Sequence, residues 1–144
     1  MHVHQILKSK SDDGVVTVAP STTIADAVKV LAERRIGTVV ISADGAAATG
    51  ILSERDIVRV LSSKGAAILS DTVDQHMTSK LVTCAREDDV DAVLALMTNG
   101  RFRHMPVIED GQLIGLITLG DVVKARLSEL AMEKDALEGM IMGH

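Results

Sequence analysis

The alternation of apolar and polar positions in the first half of the chain predicts strands and helices in a fixed order. Residues 15–18 form a short β-rich run that ends before Pro20. Apolar residues then recur at helical spacing, which is typical of an amphipathic helix: Ile24, Ala27, Val28 and Leu31. The apolar run 38–41 predicts a strand, residues 51–52 a return strand, and residues 53–61 a second helix. The first half is therefore predicted to run strand, helix, strand, strand, helix.

The second half repeats this order, and the two halves align. Val16 and Thr17 match Val82 and Thr83 at a spacing of 66, whereas Gly50–Val58 matches Gly115–Val123 at a spacing of 65. The change of one residue falls in a predicted loop, where changes of length cost little. The predicted elements of this half are strands at 81–84, 104–108 and 113–118, a helix through Val90, Val93, Leu94 and Met97, and a last helix from Leu119 to about Leu137. Repeats this short bury little apolar surface alone, so they are predicted to pack together.

Composition limits the kinds of core, partner and compartment. Hydrophobic residues make up 47% of the chain and aromatic residues 1%, so the core and any cleft for a planar ligand must be mainly aliphatic. The net charge of −5 argues against binding to nucleic acid or an anionic membrane. A single cysteine, Cys84, excludes an internal disulfide and favours a reducing compartment. With no signal peptide and no apolar run near 18 residues, the chain is predicted to be soluble and cytoplasmic.

Each half ends in the same candidate chemistry, a hydroxyl residue followed three positions later by an aspartate. The pairs are Ser53 with Asp56 and Thr118 with Asp121. Both lie at a predicted strand-to-helix junction, where free backbone N–H groups favour an anion, and an ionised carboxylate can accept both hydroxyls of a ribose. The same spacing is close to a helix capping box, although that motif prefers Glu or Gln at its last position. Ligand contact and capping are compatible, and the sequence leaves both open.

These features resemble the tandem cystathionine-β-synthase (CBS) domain pair, the Bateman module. The resemblance depends on the Gly-h-h-[Ser/Thr]-x-x-Asp motif, present twice, and on the segment Arg101–Val107. It implies an α/β (α+β) fold of two βαββα repeats related by pseudo-two-fold symmetry. The implied divisions are repeat 1 with an N-terminal helix at 1–66, a linker at 67–78, repeat 2 at 79–126, and a C-terminal helix extension and tail at 127–144.

The resemblance also assigns site residues in clefts between the repeats. Ribose contacts fall on Ser53, Asp56, Thr118 and Asp121. Phosphate contacts fall on Arg103 and His104, and Arg55, between the first hydroxyl residue and its aspartate, is a further candidate. Base contacts, from backbone and apolar groups, fall on Val15, Val16, Gly37, Thr38, Leu81, Val82, Met105 and Pro106. No metal site is expected, and Cys84 is predicted to be a buried, inert thiol.

The function predicted from these observations is regulatory binding of an adenine nucleotide (AMP, ADP or ATP), without catalysis and without an obligatory cofactor. NAD(H) or S-adenosylmethionine are alternative ligands, and a ligand-free structural dimer is the alternative of another class. A homodimer is expected through apolar stripes: Ile57, Val58 and Leu61 in one helix, and Val122, Val123 and Leu127 in the other. An unidentified effector protein would receive the signal. The clefts are expected to be unequal, because Arg55 corresponds to Gly120, and Gly37 and Thr38 to Arg103 and His104.

Overall fold

The computed structural model describes residues 1–10 and 14–142, and their elements follow the predicted order. The elements before the linker are α1 Val3–Ser9, β1 Thr17–Val18, α2 Ile24–Arg34, β2 Thr38–Ile41, β3 Gly50–Ser53 and α3 Glu54–Lys64. Two 3₁₀ turns follow, Ala66–Ser70 and Val73–Gln75. The remaining elements are α4 Val90–Gly100, β4 His104–Glu109, β5 Gln112–Thr118 and α5 Leu119–Ile141. The mixed α and β fold of two similar halves is confirmed.

The two sheets differ in their first strand, and a proline explains the difference. In the first sheet β1 runs parallel to β2, and β2 pairs antiparallel with β3. Val40 N donates to Val16 O across the parallel pair (3.2 Å). The residue equivalent to Val40 is Pro106, which has no N–H to donate. The prediction of a strand at 81–84 is therefore wrong. This segment pairs with β4 through a single parallel bridge between Cys84 and Val107.

Each half has its own hydrophobic core, which contains apolar residues that recur at helical spacing in the sequence. In the first half, Ile24, Ala27 and Leu31 pack with strand residues. In the second half, Val90, Val93 and Met97 do the same. Cys84 belongs to the second core, and burial, with a smaller contribution from Asp88, raises the pKa of its thiol to about 12. The thiol is thus protonated and buried, which fits an inert packing role.

Helix α1 precedes the first repeat in the chain but packs against the second. Its buried residues, Val3 and Ile6, belong to the core of the second half. Val3 N donates to Asp88 O and His4 N to Arg86 O, both at 3.0 Å. The segment is therefore fixed to the second repeat by backbone hydrogen bonds, which the apolar pattern of 3–7 alone could not indicate.

The helices expected to form the dimer face expose less apolar surface than the sequence predicts. Ile57 on α3 and Val122 on α5 are buried in the cores, so their assignment to an exposed stripe is wrong. The reason is that each helix turns this side toward the core of its own repeat. Three of the expected positions remain exposed: Val58, Val123 and Leu127. Within the described ranges no helix combines the length and apolar character needed to cross a bilayer.

Candidate ligand-binding clefts

Two clefts lie between the repeats, and each combines parts of both. Cleft A, of about 900 Å³, lies between residues 35–38 of the first repeat and 114–118 of the second, and α1 lines one side. Cleft B, of about 500 Å³, lies between the β3–α3 junction and residues 101–104. Each cleft therefore joins the strand-to-helix junction of one repeat to the loop before a strand of the other. Volumes in this range suit small organic ligands.

Cleft B brings together most of the charged residues that the sequence singled out. Its lining includes Ser53, Arg55, Asp56, Arg103 and His104. Further charged side chains of the lining are Glu54, Arg59 and Arg101. Arginine forms bidentate hydrogen bonds with phosphate, so the chemistry of this lining fits a phosphorylated ligand.

The Ser53–Asp56 pair forms a complete capping box. Asp56 Oδ2 accepts hydrogen bonds from Ser53 N (3.0 Å) and Ser53 Oγ (2.9 Å). Ser53 Oγ accepts from Asp56 N (3.1 Å). The other oxygen, Asp56 Oδ1, accepts from Arg59 Nη2 at 3.2 Å, and the Arg59 side chain is 71% exposed. Because exposed ion pairs contribute about 0–1 kcal/mol, a ligand can replace this contact at little cost.

The Thr118–Asp121 pair forms the same box but with a further partner. Thr118 N donates to Asp121 Oδ2 (2.9 Å), and Asp121 N donates to Thr118 Oγ1 (3.1 Å). Lys10 Nζ lies 2.8 Å from the same Oδ2 and also donates to Leu116 O at 2.8 Å. Burial raises the pKa of Asp121, but the Lys10 ammonium and the Thr118 hydrogen bonds outweigh it and hold that pKa below its usual range. Asp121 is thus an ionised carboxylate already paired with a cation.

His104 lies in the wall that the clefts share. It lines both clefts together with Gly37 and Thr38. Burial lowers the pKa of His104 below its ordinary value of 6.5, and the charges of Arg103 and Lys10 lower it further. Glu54 and Asp121 act in the opposite direction without reversing the shift. The imidazole is therefore mainly neutral at pH 7.

The residues expected to contact a base are divided between the clefts and the interior. Val15, Val16, Gly37 and Thr38 line cleft A. Leu81 and Val82 belong to neither lining. Met105 and Pro106 are buried. Thr38 is also buried, and in the described part of the chain its Oγ1 has no hydrogen-bond partner.

Arg35 and Arg101 line the clefts although the sequence reasoning did not select them. Arg35 lies in cleft A and Arg101 in cleft B. Both end a helix in the left-handed conformation, with φ of 54° and 56°, where glycine is favoured. A side chain there costs roughly 1–2 kcal/mol. Arg35 aligns with Arg101 at the repeat spacing of 66, which was the available signal in the sequence. The presence of arginine at this costly position in both repeats supports a role in the clefts.

Cleft A also contains charged residues that no motif indicated. They are His4, Lys8, Lys10 and Arg86, with Glu109 as the acidic residue of the lining. Most of them come from α1 and its end, so their position depends on how α1 packs. The sequence signal was only a pair of lysines two positions apart after an apolar stretch. No cluster of metal-ligating side chains occurs within residues 1–10 and 14–142.

Comparison with known proteins gives one family. The sequence profile of the CBS domain matches residues 7–63 and again residues 72–128. The mitochondrial CBS domain-containing protein CBSX3 of Arabidopsis thaliana is 37% identical, over 94% of this chain and 68% of its own length. The crystal structure of a CBS-domain containing protein from Agrobacterium tumefaciens is 44% identical, with a TM-score of 0.82 over 88% of this chain and 99% of that one.

More distant solved structures share the fold and hold ligands. A CBS domain protein from Pyrobaculum aerophilum, complexed with AMP, is 23% identical, with a TM-score of 0.77 over 92% of this chain and 99% of that one. A CBS domain pair in complex with 5′-methylthioadenosine and S-adenosyl-L-methionine is 24% identical, with a TM-score of 0.76 over 90% and 98% of the respective chains. At this identity the likeness concerns the fold.

Proposed function

The chain belongs to the CBS domain family as a pair of repeats, and from that membership we propose that it is a regulatory module that binds AMP, ADP or ATP and signals to a separate protein. CBS pairs of this fold bind adenosine-containing ligands in solved structures. The observation that carries the proposal for this chain is cleft B. There a carboxylate suited to a ribose lies in the same lining as a cluster of arginines suited to phosphate.

The proposed roles in cleft B follow from the donors and acceptors available there. Asp56 accepts hydrogen bonds from the ribose hydroxyls in place of its exposed Arg59 contact. Arg55 and Arg103 bind the phosphate, and such charge-assisted hydrogen bonds contribute about 1.5–3 kcal/mol each. Ile51 and Phe102 supply apolar surface for the base. The proposed module carries out no catalytic step, and its effector is a separate protein.

A thermal-shift screen with AMP, ADP, ATP, NADH and S-adenosylmethionine tests the proposal. At a free concentration of 100 Kd, a ligand stabilises the folded protein by about 2.7 kcal/mol, which is easily measured. Adenine nucleotides are expected to give the largest shifts. The chain has no Trp or Tyr, so a copurified nucleotide is also visible in its ultraviolet spectrum. If no adenosine compound shifts the melting temperature, the proposal is wrong, and a ligand-free structural dimer becomes the favoured alternative.

S-adenosylmethionine is the second candidate ligand because a related fold was solved with it. The charges of the clefts argue for nucleotides instead. The sulfonium group is a cation, and cleft B presents Arg55, Arg59, Arg101 and Arg103. Like charges in a confined cleft repel, whereas phosphates are attracted. A larger thermal shift with S-adenosylmethionine than with any nucleotide would favour this alternative.

We also propose a homodimer formed through the exposed apolar residues of α3 and α5. Val58 is 64% exposed and Leu127 62% exposed, and Val123 and Leu130 add to the surface. Exposed apolar groups of this kind mark interfaces. Light scattering is expected to give about twice the chain mass of 15.3 kDa.

The double substitution Val58→Asp and Leu127→Asp should convert this dimer to a monomer, because it would place charges in an apolar interface. Ser79→Asp, an exposed site outside these helices, is the control and should stay dimeric. A wild-type mass near that of one chain at micromolar concentration would contradict the dimer.

The cellular location stays a prediction. The single cysteine favours a reducing compartment such as the cytoplasm. The Arabidopsis relative, however, is named as mitochondrial. Immunofluorescence or fractionation of the full-length protein in its own cell would decide between these compartments.

A further inference from the structure

The N-terminal segment supplies two of the four Lys and Arg residues in the lining of cleft A. Its cationic or titratable lining residues are His4, Lys8, Lys10, Arg35, Arg86 and His104. The acidic residue of the lining is Glu109, which lies 3.5 Å from Arg86. The lining of cleft B has four arginines but two acids, Glu54 and Asp56, so it carries one positive charge less than that of cleft A. A chain of net charge −5 thus concentrates positive charge on one side of α1.

Lys10 changes what Asp121 can do. The ammonium donates to Asp121 Oδ2 and to Leu116 O, both at 2.8 Å, and so links the end of α1 to the β5–α5 junction. Both groups of the ion pair are partly buried, with side-chain exposures of 35% and 24%. A ribose diol that sought Asp121 would have to displace this cation. The ammonium still has a third N–H to offer to a ligand.

Lys8 supplies a second charge from the same segment. It lines cleft A, and within the described residues it has no ion-pair partner. An unpaired cation beside a cleft attracts an anionic ligand without first losing a protein contact. Lys8, Lys10 and Arg35 therefore surround the cleft with positive charge from the first part of the chain.

We infer that cleft A is a polyphosphate site in which Lys8 and Lys10 bind the phosphate chain of the ligand, while Asp121 positions Lys10 instead of binding a ribose. The two clefts then select differently: cleft B recognises the ribose, and cleft A recognises the number of phosphates. As far as the ligand is a nucleotide, the inference rests on the proposed function. The test uses inorganic tripolyphosphate, which contains no nucleoside, so its result does not depend on the proposed function.

Isothermal titration calorimetry with inorganic tripolyphosphate tests the inference on the full chain. The wild type is expected to have one tighter site per chain. Lys8→Met removes a charge that has no ion-pair partner in the described part of the chain, and it should weaken that site roughly ten- to a hundredfold, the effect of one charge-assisted hydrogen bond. Lys29→Met changes the net charge equally on an exposed face of α2 outside both linings, and it should leave the affinity unchanged.

Lys10 needs a second variant, because removing its charge leaves Asp121 without a partner. The double substitution Lys10→Met and Asp121→Asn removes both charges, and it should weaken tripolyphosphate binding like Lys8→Met while the protein still melts cooperatively. Lys10→Arg should retain much of the binding. These variants separate phosphate contact from the stability of the α1 packing.

The outcomes distinguish this inference from the proposed function. If nucleotides bind but tripolyphosphate does not, the inference is wrong and the proposed function stands. If Lys8→Met has no effect while Arg55→Met abolishes tripolyphosphate binding, the polyphosphate site is cleft B and the inference is wrong. If tripolyphosphate binds with the expected Lys8 dependence but no nucleotide binds, the polyanion site stands and the proposed function fails.

Discussion

Replacing the ribose 2′-hydroxyl with hydrogen is expected to weaken AMP binding in cleft B by roughly ten- to a hundredfold. The reason is the loss of one charge-assisted hydrogen bond to Asp56, which contributes about 1.5–3 kcal/mol. Among the described residues Asp56 Oδ1 is held by the exposed Arg59 alone, whereas Oδ2 is used in the helix cap. Calorimetric titration with AMP and 2′-deoxy-AMP measures the ratio of the two affinities directly.

The variant that isolates this contact is Asp56→Asn. Asparagine keeps the size of the side chain and a carbonyl oxygen for the helix cap, but it loses the negative charge. The preference for AMP over 2′-deoxy-AMP should therefore shrink toward unity. Asp135→Asn, on the exposed part of α5, makes the same chemical change away from both clefts and should keep the preference. Equal affinities of the wild type for both nucleotides would disprove the role of Asp56.

The repeat made the fold predictable because it supplied the same pattern twice. Each strand and helix predicted in the first half could be checked against its counterpart, so the apolar spacing of Ile24 and Leu31 had independent support at Val90 and Met97. The helix ends were also predictable, since Ser53 and Thr118 are favoured N-cap residues. The strand predicted at 81–84 failed for a local reason. Pro106 removes one N–H donor from the parallel strand pair, and a pattern of apolar residues does not reveal a missing N–H.

The site was predictable only where its residues lie inside the recognised motifs. Ser53 and Asp56 belong to the repeated motif and His104 to the segment Arg101–Val107, and all three line the clefts. Lys10 meets Asp121 across 111 positions of sequence, and this contact depends on which repeat receives α1. Helical periodicity indicates that α1 has an apolar face but not which core that face joins. The cations of cleft A therefore could not be found from motif spacing.

The capping box is compatible with the proposed ligand contact, because the cap uses one oxygen of each aspartate. In both junctions one carboxylate oxygen, Oδ2, serves the helix cap. The cap fixes the orientation of the aspartate, and a fixed acceptor loses less entropy when a ligand binds. What separates the junctions is the neighbouring cation: Arg59 on the surface beside Asp56, and Lys10 partly buried beside Asp121.

The contribution of His104 to the binding of a phosphorylated ligand is expected to strengthen as the pH falls below 7, by up to about tenfold per pH unit, because the imidazole takes up a proton. Burial and the neighbouring Arg103 and Lys10 keep the pKa of His104 below 6.5 in the free protein. A bound phosphate adds negative charge, so it raises that pKa. The contribution of His104 to affinity should therefore rise as the pH falls from the His104 pKa of the complex to that of the free protein, and level off below it.

The lowered pKa of His104 also affects the free energy of unfolding, and its pH dependence is opposite to that of ligand binding. Since the folded pKa of His104 is lowered, the unfolded chain binds the proton more readily, and this contribution to stability is lost as the pH falls from about 6.5 through the folded pKa. Ligand affinity must therefore be measured by calorimetry under conditions where the protein remains folded, and not taken from melting temperatures alone.

His104→Gln isolates the imidazole from the titration of the ligand. A phosphate monoester has its own pKa near 6 and loses charge as the pH falls, which opposes the effect of His104. Glutamine keeps a polar side chain but cannot gain a proton, so the difference between wild type and variant cancels the contribution of the ligand. The difference in affinity between wild type and His104→Gln should grow as the pH falls from 7 to 5.5. His76→Gln is the control, because His76 pairs with Asp71 outside both clefts, and its pH profile should match that of the wild type. Parallel pH profiles of wild type and His104→Gln would show that the shared wall does not sense the ligand's charge.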